Sequence, residues 1–403
     1  MTVPVPPTPR RGLPRLPEEG LLASVLLSFL ATAGLFYVNI MAALVDGLTS
    51  GAGLTAKQAG LVASANVYGA AVGALTAVFI IRRLPWRPTA VTVLLLLITV
   101  DLASTLIMAP ELLIAVRFLH GVMGGLLVGV AFAVIARTRT PDRTFGMLLV
   151  VQFGLGGLGL MFLPRLVPVF GHGVLFLALA AFSAVTLAMT PFLGEYRRAP
   201  VQTAQTPDAA IQWRPLIPVF VALFLFQAAN MGLAAYIIGL GKASGLKLGF
   251  ITDCLGAANW IGALGSLLVV MLGVKYGRLG PLLVGLGLTL VGTFVFHFSQ
   301  LPWVFLVANI GTAITWSFVI PYLLGMSAAF DKAGQMAALA GFFSKMGLAT
   351  GPAVAAFVVA DGDYGSLINL AVVGLAFSGA AAIFPALGLD RQRWPARPPA
   401  PAT

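Results

Sequence analysis

Twelve apolar runs, each long enough to cross a lipid bilayer, follow one another between residues 21 and 388. The first six cover 21–45, 58–81, 89–109, 112–136, 145–166 and 172–194. The second six cover 215–239, 249–273, 281–299, 302–325, 334–358 and 365–388. A helix rising about 1.5 Å per residue needs roughly 20 residues to cross a hydrocarbon core of about 30 Å. Inside lipid the backbone must satisfy its own hydrogen bonds, and runs of this length do so as helices. The sequence therefore predicts an all-α integral membrane protein with twelve transmembrane helices. Charged residues make up 9% of the chain, against about 25% in soluble domains.

The charges that remain have a direction. The chain carries 24 Lys and Arg for a net charge of +11. Eighteen of the 24 fall in segments on one side of the predicted membrane, including Arg82, Arg83, Arg87, Arg137, Arg139, Arg143, Arg197, Arg198, Lys275, Arg278 and Lys332, with Arg391, Arg393 and Arg397 in the tail. That bias is the positive-inside pattern, so both termini are expected in the cytoplasm of a multi-pass protein of the cytoplasmic (inner) membrane. The pattern accounts for the basic pI without a nucleic-acid partner. Residues 1–20 are proline-rich and read as a disordered tail, and no cleavage site follows a short apolar core. The polar connection at 195–214 separates a bundle at 21–194 from one at 215–388, and a tail follows at 389–403. The single Cys254 excludes an internal disulfide and a cysteine metal cluster.

The two bundles also share sequence. A shift of 192 residues sets Gly53-Leu54 on Gly245-Leu246, Tyr68 on Trp260 and Gly73 on Gly265. With small slips, Asn39 meets Asn230 and Gly121 meets Gly311. A parallel six-plus-six repeat marks transporters whose substrate site lies between the halves near mid-membrane. Twelve spans, cytoplasmic ends and a central linker resemble the major facilitator superfamily over about residues 20–390. The run Arg117-Phe118-x-x-Gly121-x-x-x-Gly125 is similar to that family's arginine motif, which is associated with proton coupling. Lys275, Gly277 and Arg278 resemble the tail of its loop motif. The counterpart IIRRLPWRP lacks the expected acid and glycine, and the fifth span departs from the Gly-Pro motif of the family's drug exporters. The resemblance implies that spans 1, 4, 7 and 10 line a central chamber, flanked by 2, 5, 8 and 11.

Candidate functional residues are the polar groups inside the spans. Lys345 falls near the middle of 334–358, where a cation costs at least ~2.5 kcal/mol on insertion scales and marks a function or a buried partner. Asp101 and Arg117 are equidistant from the turn at Ala109, so antiparallel helices would pair them. His120 lies one turn beyond, a proton carrier by its chemistry or a hydrogen-bonded packing residue. Asn39, Asn66, Tyr68, Asn230, Trp260 and Trp316 complete the expected substrate-binding set with Lys345. Asp101, Arg117 and His120 form the expected proton-coupling set. Asp46 reads as solvated, Glu111 as a helix-start acid, and Asp253 as too far from Lys345 to pair with it. Residues 154–159 match G-x-G-x-x-G, but no strand precedes them and they lie inside a span.

These residues predict a secondary active transporter of a small organic solute, with alternating access and proton coupling. An unpartnered lysine points to an organic anion such as a carboxylate. Efflux of hydrophobic drugs is the alternative. An intramembrane enzyme would need clustered nucleophiles, paired acids or metal ligands, and none is spaced for that. No cofactor or metal is called for. The expected partners are the solute, protons and the bilayer, with the protein acting as a monomer.

Overall fold

The computed structural model describes residues 15–18, 20–80, 85–139, 141–196, 213–273, 275–330 and 335–393. Most of the 1–20 tail, most of the 195–214 linker and residues 394–403 of the C-terminal tail lie outside them, as do Arg82, Arg83, Arg197, Arg198, Lys332 and Arg397. Among the described residues every regular element is helical. The helices are α1 (Leu21–Ala33), α2 (Phe36–Asn39), α3 (Met41–Gly51), α4 (Ala56–Ile80), α5 (Trp86–Ser104), α6 (Pro110–Ile135), α7 (Pro141–Phe170) and α8 (Gly173–Met189). After the linker come α9 (Trp213–Ala235), α10 (Ile237–Ala243), α11 (Leu248–Leu272), α12 (Leu279–Val295), α13 (Pro302–Ala329), α14 (Gln335–Val358) and α15 (Tyr364–Arg393).

Ten of these helices are long and apolar enough to cross a membrane. The other two predicted spans are occupied by α1–α3 and by the 24-residue α14. The first span was expected as one helix and is broken twice. Gly34, between α1 and α2, sits so close to the Gly124 carbonyl of α6 that a Cβ would overlap it. The seventh span breaks likewise at Tyr236, between α9 and α10.

Helices of 21–193 pack mainly among themselves, as do those of 213–393. In the first group α4 lies along α6, α5 along α6 and α8, and α1 along α7. In the second α9 lies along α14 and α15, and α13 along α11 and α12. The groups meet along two seams, α4 against α14 and α11 against α7. Those seams are equivalent under the 192-residue repeat, because α4 and α11 are the second helices of their groups. The repeat reaches the backbone too. Gly53 and Gly245 both adopt left-handed φ, +68° and +80°. Leu54 N–H then caps Leu48 C=O at 3.2 Å, and Leu246 N–H caps Gly241 C=O at 3.0 Å. Each glycine ends a helix and turns the chain back into the next span.

Small residues set the α4–α6 contact. A Cβ on Gly69 would strike the Phe118 carbonyl, and one on Gly121 would strike the Asn66 carbonyl. Gly121→Val is expected to separate these helices, with loss of monodisperse protein on size-exclusion chromatography. Gly146→Ala is the control, since its Cβ would meet nothing within 4 Å, and it should keep or slightly raise the melting temperature.

Candidate functional site

The polar side chains inside the spans fall into three groups. The first is buried between α4, α5 and α6. Arg117 Nη1 donates to Asp101 Oδ1 at 2.7 Å, with both side chains 0% exposed. Arg117 Nη2 donates to the Val100 carbonyl at 3.1 Å and to Ser104 Oγ. The guanidinium lies 4.8 Å from the Phe176 ring of α8. His120 Nε2 stands 3.2 Å from the same Asp101 Oδ1. Asn66 Nδ2 closes the group, 2.8 Å from His120 Nδ1 and 3.1 Å from the Arg117 carbonyl. The facing pair follows from the turn, which returns α6 antiparallel to α5 with Asp101 and Arg117 at one depth. Asn66, expected beside the substrate, is instead buried here, because the α4–α6 approach leaves its amide no room to face an opening.

The second group is built around α14, which carries Lys345 about 15 Å along from Gln335 and about 20 Å from Val358. The side chain is half-buried, and no acid lies within ion-pair distance among the described residues. Its sequence neighbour Ser344 belongs to a chain of hydrogen bonds across three helices. Trp316 Nε1 of α13 donates to Gln227 Oε1 of α9 at 2.8 Å, and Gln227 Nε2 donates to Ser344 Oγ at 2.8 Å. The chain ties the Trp316 ring of α13 and the Gln227 amide of α9 to α14, the helix that carries Lys345. Asn230, one turn further along α9, turns its amide back to the Phe226 carbonyl of its own helix at 2.8 Å.

The third group occupies the seams. Tyr68 Oη and Thr350 Oγ1 are 2.8 Å apart across α4 and α14. Trp260 Nε1 donates to the Gly154 carbonyl at 3.1 Å across α11 and α7. The two residues matched by the repeat thus perform matching tasks, each crossing from the second helix of its half to the other half. Trp260 packs its ring on Gly157 at the seam and leaves 43% of its surface exposed. Asn39 borders the same seam, beside Gly156 and Asn259. Of the G-x-G-x-x-G run in α7, Gly156 and Gly159 serve close packing, against Asn259 and Ile40.

Beyond the seams, one end of the molecule is held by ion pairs. Lys242 Nζ lies 2.5 Å from Asp46 Oδ1, joining α10 to α3. Asp46 was expected to be solvated, but its side chain is 9% exposed because α10 folds over it. Arg165 binds the Asp253 carboxylate, and donates to Thr252 Oγ1 at 2.7 Å and the Gly249 carbonyl at 2.7 Å, joining α7 to α11. Tyr236 Oη donates to the Ala56 carbonyl at 2.9 Å, and Lys57 Nζ lies 4.3 Å from the Phe357 ring centroid. All these residues lie toward the end carrying the Gly53 and Gly245 turns, so the halves are closed together there. Arg165, Gln227, Ser344 and Thr350 were missed as site residues. The charge of Arg165 near a span end and the amide of Gln227, a polar residue inside a span able to bond across helices, were the signals.

A family model described as Major Facilitator Superfamily matches residues 24–352. No curated protein matches the chain. Among solved structures, the nucleoside transporter NupG is similar at a TM-score of 0.69 and 15% identity, over 91% of this chain and 99% of that one. A D-xylose–proton symporter is similar at a TM-score of 0.67 and 15% identity, over 92% of this chain and 97% of that one. At such identity the likeness is one of fold.

The buried pair makes a double-mutant test available. Asp101→Leu or Arg117→Leu alone strands a charge in a dry site and should destabilise the fold by about 3–5 kcal/mol. The double leucine variant should lose less than either single variant, measured as thermal midpoint in detergent.

Proposed function

The chain belongs to the major facilitator superfamily, and from that premise we propose that it is a proton-coupled carrier of a small organic anion such as a carboxylate. The family makes it a multi-pass membrane transporter rather than an enzyme. The observation that carries the anion reading is Lys345, a half-buried cation near mid-span with no acid in reach among the described residues. A fixed ammonium in such a place attracts a carboxylate far more strongly than it would in water. The Trp316–Gln227–Ser344 chain beside it supplies fixed dipoles and an aromatic wall to orient the rest of the solute. Tyr68 reaches the same helix at Thr350, and Asn230 lies one turn beyond Gln227 on α9, while Asn39 and Trp260 lie at the other seam. The similar structures are named for a nucleoside and for D-xylose, neither of which is a carboxylate.

Proton coupling rests on the Asp101–Arg117–His120 group, which can take a proton without contact with the solute. The basic segments mark the cytoplasmic side of the inner membrane, with both termini there. The ion-paired end is then the outer one, and the conformation is closed to the outside. Alternating access would open that end by parting α3 from α10 and α7 from α11. The protein would work as a monomer, since both halves of the site lie in one chain.

Efflux of hydrophobic drugs is the second reading. It is favoured by an apolar groove of about 840 Å³ among α4, α6 and α14, lined by Tyr68, Phe118, Phe342 and Met346 among others. Reconstitution into liposomes and a solute screen separate the two: accumulation of carboxylates supports the anion reading, and extrusion of apolar cations the other. With the solute in hand, Lys345→Gln should preserve expression and lower affinity at least tenfold, read by calorimetry on purified protein. Lys345→Arg should keep binding with altered selectivity, because a planar fork replaces a compact ammonium. Unchanged affinity in Lys345→Gln would remove the anion reading's main support.

A further inference from the structure

His120 is held on both ring nitrogens, and the partners decide where its proton sits. Asn66 Nδ2 makes two contacts, one to the Arg117 carbonyl at 3.1 Å and one to His120 Nδ1 at 2.8 Å. A carbonyl oxygen only accepts, so the atom facing it is the amide nitrogen. The same nitrogen then donates to His120 Nδ1, which must be the unprotonated nitrogen of a neutral ring. The ring hydrogen is on Nε2, directed at Asp101 Oδ1 at 3.2 Å. The charged groups facing His120 are Asp101 from α5 and Arg117 from α6 itself, with the Tyr37 phenol of α2 at 6.1 Å between ring centroids. From α4 it meets the uncharged Asn66.

We propose that Asn66 is a positioning residue that locks His120 in its Nε2–H form, so that a proton reaching His120 releases α4 from α6. The inference rests on the reading that this group takes up the coupled proton. A proton from the aqueous phase binds the Nδ1 lone pair, giving an imidazolium whose Nδ1–H needs an acceptor. Asn66 offers one only by turning its amide over, which sets its oxygen against the Arg117 carbonyl and breaks the α4–α6 hydrogen bond. Two residues along α4, Tyr68 bonds Thr350 across the seam at 2.8 Å. One helix therefore carries both the contact that protonation breaks and a contact that holds the halves together. Asp101 Oδ2 is buried and without a hydrogen-bond partner among the described residues, and it is the competing position for the proton.

The test uses full-length protein in lipid nanodiscs with ¹⁵N-labelled histidine. There are three histidines in the chain, and His120→Gln identifies the relevant signal. Wild-type His120 should show the Nε2–H tautomer at neutral pH and the imidazolium on acidification. Asn66→Leu should admit the Nδ1–H tautomer. Asn66→Asp, which offers an acceptor at similar volume and carries the test if the leucine variant does not fold, should show imidazolium where the wild type is neutral. In a Cys254→Ala background, disulfide cross-linking between Tyr68→Cys and Thr350→Cys, taken relative to a cysteine pair bridging α5 and α8 to remove the thiolate's own pH dependence, should fall on acidification, and adding Asn66→Leu should abolish that relative pH dependence. An Nδ1–H tautomer in the wild type, or a tautomer indifferent to Asn66, overturns the proposal. So does cross-linking that responds to pH while His120 stays neutral, which would assign the proton to Asp101. If tautomer and cross-linking behave as expected but a pH gradient drives no solute accumulation, the latch stands and the proton-coupled reading falls.

Discussion

A carboxylate shared by two bases is the interaction on which the first half of the molecule depends. Asp101 Oδ1 faces Arg117 and His120 together, in a place where each charge alone would be expensive. Because Asp101 lies on α5, its pairing fixes the depth of α5 against α6. Because Asn66 answers from α4, three helices are placed by one buried cluster. The small residues of α4 and α6 allow this, since only glycines at 69 and 121 let the backbones come close enough for an asparagine to reach a histidine.

The second half has no such ion pair at the equivalent depth among the described residues. It carries a neutral hydrogen-bonded chain through Trp316, Gln227 and Ser344, and a lone lysine. The two halves share a scaffold and differ in what they hold: one a buried charge cluster, the other an unanswered cation. Between the halves run the two seams, α4 against α14 and α7 against α11.

Much of the fold was legible because lipid makes simple demands. Span lengths follow from bilayer thickness, and the pairing of Gly53 with Gly245 survived as a shared left-handed helix ending. Asp101 and Arg117 were legible because a tight turn makes depth a matter of counting. The breaks in the first and seventh spans were not, since no proline or polar run marks residues 34–40 or Tyr236. Nor was the burial of Asp46, whose partner Lys242 is 196 residues away. Ser344 and Thr350 escaped notice because serine and threonine commonly bond their own helix, and nothing local distinguishes one that reaches across. Asn66 looked like a cavity residue by depth alone, and only the facing of α4 against α6 assigns it to the cluster.

The two ion pairs at the closed end cross in opposite senses. In one the acid comes from the first half and the base from the second; in the other the roles are exchanged. Parting the halves there exposes two positive and two negative groups, so each half carries one of each sign. Separating these two pairs by itself therefore transfers no net charge, and a membrane voltage has little purchase on them. Ionic strength does, because these pairs are partly exposed and their attraction is screened within about 8 Å at physiological salt.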